Sequence, residues 1–196
     1  MRRRFLLLII VLTSILFVSC TSDKSTKTIE KLNKLYNESN GYETILEMKI
    51  INDDKESIYK MKEKYSHDHT ISLEILEPKE SQGIIIEYKD DKIFLNHASI
   101  RQSISLKAVK NFDKGILLAN FFDNLDLVQF IEEKELDGKD YFVIEFSPED
   151  TNKYNTQRLI YLTKKNLDPY LMEIMDENGN VRVKIKYEEF KYTEDN

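Results

Sequence analysis

Arg158-Leu159-Ile160-Tyr161-Leu162-Thr163, Asp168-Pro169-Tyr170-Leu171-Met172-Glu173-Ile174-Met175, Asp176-Glu177-Asn178-Gly179-Asn180 and Val181-Arg182-Val183-Lys184-Ile185-Lys186-Tyr187-Glu188 run almost without a break to the C-terminus. Asn178-Gly179 supplies the left-handed backbone of a tight two-residue turn, a strong hairpin signal between apolar runs. After it, Val181, Val183, Ile185 and Tyr187 alternate with Arg182, Lys184, Lys186 and Glu188, the period of a half-buried strand. Before it, 158–163 and 170–175 read as two more strands, and 141–146 as another, each bounded by polar loops. The end of the chain is therefore an antiparallel sheet built from hairpins.

The same period extends upstream. Tyr42, Thr44, Leu46, Met48 and Ile50 alternate with polar neighbours, Asn52-Asp53-Asp54 is a turn, and Tyr59, Met61 and Tyr65 alternate with Lys60, Lys62 and Lys64. Ile71, Leu73 and Ile75 follow until Glu77-Pro78, and 83–88 with 92–97 form a hairpin across Asp90-Asp91. Two segments depart from this pattern. Across 28–39, Ile29, Leu32, Leu35 and Tyr36 fall at helical spacing ahead of Asn40-Gly41. Across 104–133, Leu117, Leu118, Phe121, Phe122, Leu125, Leu127, Val128, Phe130 and Ile131 predict one or two helices with a wide apolar face. Asp137-Gly138 marks the return to strands. The expected class is α+β: about nine antiparallel strands in a strongly curved sheet, a half-barrel, covering helices that need an apolar face to pack on. No repeat or second domain is visible, and 28–196 reads as one β-rich domain.

The N-terminus has a different character. Met1-Arg2-Arg3-Arg4 precedes an apolar run from Phe5 to Phe17 interrupted only by Thr13 and Ser14, and the run closes Phe17-Val18-Ser19-Cys20. A basic start, a short apolar core and a small residue at the break predict an export signal over 1–19. The core is too short to span a bilayer, which takes about 20 apolar residues. Its end resembles the bacterial lipoprotein box, with Phe17 where that box usually carries leucine. The resemblance implies cleavage before Cys20, a lipid on its sulfur, a short tether over 20–27, and an extracytoplasmic protein anchored to a cell or forespore membrane. Cys20 is the only cysteine, so no internal disulfide can form. The whole chain carries a net charge of −6, and loss of Arg2, Arg3 and Arg4 makes the remainder three charges more negative. Such an anionic domain is a poor fit for nucleic acid or for electrostatic capture by an anionic leaflet.

The closing segment Leu162-Thr163, Asp168-Pro169-Tyr170, Met172-Glu173-Ile174 and Asp176–Asn180, with the strand after it, is similar to the ending of the lipoprotein-carrier (LolA/LolB-like) superfold. Together with size, lipobox and lysine-rich composition it also resembles the clostridial spore germination lipoproteins. That resemblance implies a non-enzymatic, membrane-anchored protein needed for germination. It would be a partner and activator of the cortex amidase CwlD, a zinc N-acetylmuramoyl-L-alanine amidase that starts muramic-δ-lactam formation. The superfold also implies an alternative, a carrier that binds a lipid or lipoprotein acyl chain.

The residues themselves offer little chemistry. His67-Asp68-His69 places two imidazoles two positions apart, and His97 is the only further histidine; a zinc site needs all three to converge. Ser66-His67-Asp68 is contiguous, whereas a catalytic triad assembles from separate segments. The pairs Glu132-Glu133 and Glu188-Glu189 are adjacent and point apart. With 5 glycines, mostly at turns, there is no phosphate-binding loop. No catalytic residue, metal site or cofactor is assigned. Tyr59, Met61, Ile71, Leu73, Ile84, Ile86 and Phe94 could line an acyl-chain groove, or simply form the core. The lysine-bearing segment 57–65 reads as an edge strand, which could be exchanged between two copies to give a homodimer.

Overall fold

In the computed structural model, residues 19–52, 55–89, 92–107, 116–146 and 152–194 are described. The export signal up to residue 18 lies outside them, as do the turn residues 53–54 and 90–91. The alternating segments build one 11-stranded sheet. In chain order the strands are β1 (Gly41–Asn52), β2 (Lys55–Ser66), β3 (Thr70–Glu77), β4 (Ile84–Lys89), β5 (Lys92–His97), β6 (Ile100–Lys107), β7 (Val128–Leu136), β8 (Lys139–Phe146), β9 (Gln157–Thr163), β10 (Pro169–Met175) and β11 (Val181–Tyr192). Their spatial order is β6-β5-β4-β3-β2-β1-β11-β10-β9-β8-β7. Two meanders are thus joined where the first strand pairs antiparallel with the last, Met48 opposite Ile185 and Ile50 opposite Val183.

One face of this sheet carries the core. Leu46 and Met61, Leu73 and Ile86, Ile144 and Ile160, and Met172 and Ile185 are cross-strand partners on that face. Most of them join a single buried cluster with Leu32 and Tyr36 of α1 (Ser19–Asn37) and with Leu118, Phe121 and Phe122 of α2 (Leu118–Asp123). An open sheet this wide can reach the same two helices from both halves only by curving around them. The expected half-barrel is what forms.

The opposite face is wet and charged near the middle. Glu43 on β1 meets Lys62 at 3.0 Å, Lys64 at 3.5 Å and Lys191 at 2.7 Å, and Lys60 reaches Glu188 at 2.9 Å. Hydrogen bonds from Lys191 and Lys62 hold the Glu43 carboxyl down at about 2. The outer faces of β8, β9 and β10 instead bear a small apolar cluster, Tyr141, Val143, Tyr161 and Leu171.

Two turns show why the sequence folds this way locally. At the β10–β11 hairpin, Asp176 Oδ1 accepts the backbone N–H of Asn178 and of Asn180, each at 2.9 Å, and Oδ2 accepts Arg182 Nε at 2.7 Å. Burial pushes this carboxyl up. The Asn180 backbone and the Arg182 guanidinium outweigh it and bring it to about 2. Gly41, between α1 and β1, sits at φ 136°, and a Cβ there would lie 2.0 Å from the Tyr65 carbonyl oxygen. Only glycine lets β1 start this close to β2.

Several expectations change. The helix is already formed at Ser19, the first described residue, rather than starting near Thr28, so 20–27, the segment expected as a tether, is helical. Segment 57–65 lies in β2, which is hydrogen-bonded to β1 on one side and β3 on the other; the edges are β6 and β7. The edge-strand reading therefore fails: two antiparallel neighbours already satisfy its backbone. Of the helical insertion expected over 104–133, the described part keeps one six-residue helix and a short 3-10 turn, Leu125–Leu127. Its flanks are strands β6 and β7; residues 108–115 lie outside the described part. A register shift between Val128 and Phe130 breaks the alternation of β7 and hides the strand.

Candidate functional site

The middle of the concave face of the half-barrel is filled by side chains of the described residues. Tyr59, Met61, Ile71, Leu73 and Ile86, expected to line a groove, belong to the core cluster or pack against it. Ile84 is half-buried on the same side, opposite His97. Phe94 is not part of this lining. It pairs with Glu87, and the register that puts Ile86 opposite Leu95 turns Phe94 to the other face.

The plug is aromatic. Tyr36 of α1 stacks on Phe122 of α2 with ring centroids 4.9 Å apart, and on Tyr65 of β2 at 5.9 Å. Tyr42 stacks on Tyr65 at 5.5 Å, and Phe121 packs on Phe146 at 5.2 Å. These contacts fill the volume a ligand chain would need in the middle of the face, with offset and tilted ring pairs of the favoured geometries.

Three polar ties hold α2 in this plug. At its start, Leu117 adopts an extended conformation and makes no side-chain cap. Instead the backbone N–H groups of Leu118 and Ala119 donate to the carboxylate of Glu63, which is 1% exposed. Tyr42 Oη donates to Glu63 Oε1 at 2.5 Å. Burial outweighs these bonds and pushes the Glu63 carboxyl up to about 7. In mid-helix, Asn120 Oδ1 accepts Arg158 Nη1 at 3.0 Å, and Arg158 Nε donates to Asn155 Oδ1 at 3.0 Å. Arg158 is fully buried, its guanidinium 5.6 Å from the Phe146 ring centroid. At the end of the helix, Asp123 Oδ1 accepts Tyr36 Oη at 2.7 Å and Tyr65 Oη at 3.4 Å.

Neither Glu63 nor Arg158 stands out by residue type. The signal was positional: Glu63 falls between Met61 and Tyr65, and Arg158 two residues before Ile160, each at an inward position of its strand. A charged residue in apolar phase marks a buried polar contact. Replacing Arg158 with methionine should keep most of the volume but strand the Asn120 and Asn155 side-chain oxygens. The expected loss is about 2 kcal/mol, read as a lower urea midpoint; an unchanged midpoint would contradict this role.

The histidine motif does not assemble. His67, Asp68 and His69 form the β2–β3 turn, with His69 at φ 61°, and His97 ends β5 beside Gly83. The His67 ring packs 5.0 Å from Tyr36. Ser66 Oγ and the Thr70 backbone N–H both donate to Asp68, which is turn chemistry rather than a triad. Among the described residues no group of three His, Cys, Asp or Glu side chains could hold a metal ion. Glu132, Glu133, Glu188 and Glu189 are all exposed. Cys20 lies in the first turn of α1. Among the described residues no helix is long and apolar enough to cross a membrane.

Fold and site together define a class: an open antiparallel half-barrel whose hollow is stoppered by its own helices. The chain belongs to the sporulation protein YdcC-like family, whose sequence pattern matches residues 2–196. No curated protein sequence matches it. Among solved structures it is similar to a chain of the complex of the CwlD amidase with the GerS lipoprotein from Clostridioides difficile. The two are 24% identical, with 85% of this chain and 95% of that chain covered and a TM-score of 0.50. An uncharacterized conserved protein from Thermus thermophilus is 14% identical over 87% of this chain and 90% of that one, with a TM-score of 0.55. A LolA superfamily protein from Nitrosomonas europaea is 17% identical over 88% and 94%, with a TM-score of 0.48. These structural likenesses bear on the fold alone.

Proposed function

We propose that this protein is a lipid-anchored, non-enzymatic partner of a cortex amidase of the CwlD kind, required for spore germination through muramic-δ-lactam formation. The observation that carries the reading is the filled hollow: its middle is occupied by side chains of the chain itself, leaving surfaces as the means of action. Membership of a sporulation family and a GerS-like fold support it. The test is co-purification of the amidase with the protein from sporulating cells, together with δ-lactam analysis of the cortex. Cortex of normal δ-lactam content from a deletion strain would remove the proposal.

The anchor is part of the same reading. Cys20 carries the acyl chain, and Cys20→Ala should abolish incorporation of labelled palmitate; continued labelling of the variant would contradict it. A homodimer built by strand addition uses β6 or β7, since β2 is paired on both sides; sedimentation of the unacylated domain as a monomer would remove that.

A second reading, carriage of an acyl chain, is favoured by one feature at the end of the concave face. Ile104 of β6 is 60% exposed opposite half-buried Leu95, which leaves an apolar strip outside the plug. Native mass spectrometry of the unacylated domain separates the two readings, because only a carrier retains lipid.

A further inference from the structure

Among the described residues, Glu63 is the one buried carboxylate of the concave face, and the proposed function does not use it. Tyr42 from β1 donates to it, and the first two N–H groups of α2 point at it. Tyr187 from β11 and Tyr88 from β4 are close enough for its charge to raise their own phenols. No lysine or arginine among the described residues contributes to its shift. The ionised form is therefore stabilised by dipoles alone in a site with almost no solvent, and burying such a charge is costly.

We propose that Glu63 is a proton-operated latch on the α2 plug, closed when its carboxyl is protonated and biased to open when it ionises. Opening lets the carboxylate reach water and lifts Leu118, Phe121 and Phe122 off the sheet. Glu63 meets α2 at Leu118 and Ala119, so the N-terminal turn of α2 is where release starts. The sign follows from linkage. A carboxyl whose value rises from 4.5 in water to about 7 in the closed state binds its proton more tightly when closed, so closure is fully favoured below 4.5 and is lost as pH climbs through 7.

The experiment is amide hydrogen exchange of the full domain, corrected for intrinsic rates, at pH values of about 5.5 and 8.5. The opening constant at Leu118–Phe122 should rise roughly 30-fold across that range, while amides of β10 and β11 change much less. Glu63→Gln, which fixes the uncharged form, should remove the pH dependence. Equal, pH-independent opening in wild type and Glu63→Gln overturns the proposal, and so does an increase shared equally by β10 and β11, which reports global unfolding. Should Glu63→Gln fail to fold, carbon-13 titration of the wild-type carboxyl decides: a midpoint near 7 supports the latch and a midpoint near 4.5 overturns it. Tyr42→Phe, which deletes the hydroxyl favouring the anion, should move that midpoint upward; an unmoved midpoint counts against the latch.

Discussion

Ile185→Asp should leave no folded domain. Ile185 is 1% exposed at the centre of β11, opposite Met48 on one side and Met172 on the other. The change forfeits roughly 2–3 kcal/mol of apolar burial and puts a carboxylate among methionines and tyrosines, at a further cost of several kcal/mol. The sum consumes most of the 5–15 kcal/mol that holds a typical domain together. Circular dichroism and urea titration provide the check, and a native-like, cooperative transition for the variant would show that the inward register of β11 is wrong. Val183, two residues earlier and only half-buried, should tolerate the same change better.

Gly41→Ala should cost nearly as much, by a different route. No apolar contact is lost. The added methyl would sit 2.0 Å from the Tyr65 carbonyl oxygen and 2.8 Å from its carbonyl carbon, which are backbone atoms in a paired strand and cannot swing aside. The φ of 136° adds strain that any L side chain would feel. Relief requires separating β1 from β2 at Ser66, where α1, the first strand and the His67 turn all meet. A loss of roughly 3 kcal/mol or more is expected, seen as a large fall in the denaturation midpoint. A midpoint within experimental error of wild type would mean that β1 does not start this close to β2.

Acid and base should act on this fold from opposite sides. Glu43 and Asp176, both held at about 2 by their partners, contribute stability above their ordinary values that is lost as pH falls through 2. Glu63 contributes below 4.5 and is lost as pH rises through 7. Taken together, these three groups should make stability peak near pH 4.5, between the two losses, and thermal melts across pH would show it.

The sheet was legible wherever alternation was clean and turns carried their own chemistry. The β10–β11 hairpin is the clearest case, because Asn178-Gly179 fixes the turn and Arg182, Lys184 and Lys186 mark the wet face. β6 and β7 were missed for physical reasons. β7 has a bulge that shifts its phase after Val128, and its apolar neighbours Leu125 and Leu127 belong to a separate 3-10 turn, so the run looked continuous and helical. Lysines at 60, 62 and 64 suggested an exposed edge, but they line the outer face of an interior strand and pair with Glu188 and Glu43. What a side chain faces and which backbone is left unpaired are separate properties, and only the first is written in alternation. The polar ties on α2 depend on contacts between residues as far apart as Glu63 and Leu118, which no local pattern encodes.

One consequence of the uninterrupted α1 concerns how such a molecule is mounted. A helix rises about 1.5 Å per residue, and this one runs from Ser19 to the buried Leu32 and Tyr36 without a flexible joint. Were Cys20 acylated as proposed, the body would stand on a stiff post instead of swinging from a string. Its attitude to the bilayer would then follow the direction of that post. Copies mounted in this way would stand at about the same height, and encounters with another surface-bound protein would reduce to sliding and turning in a plane.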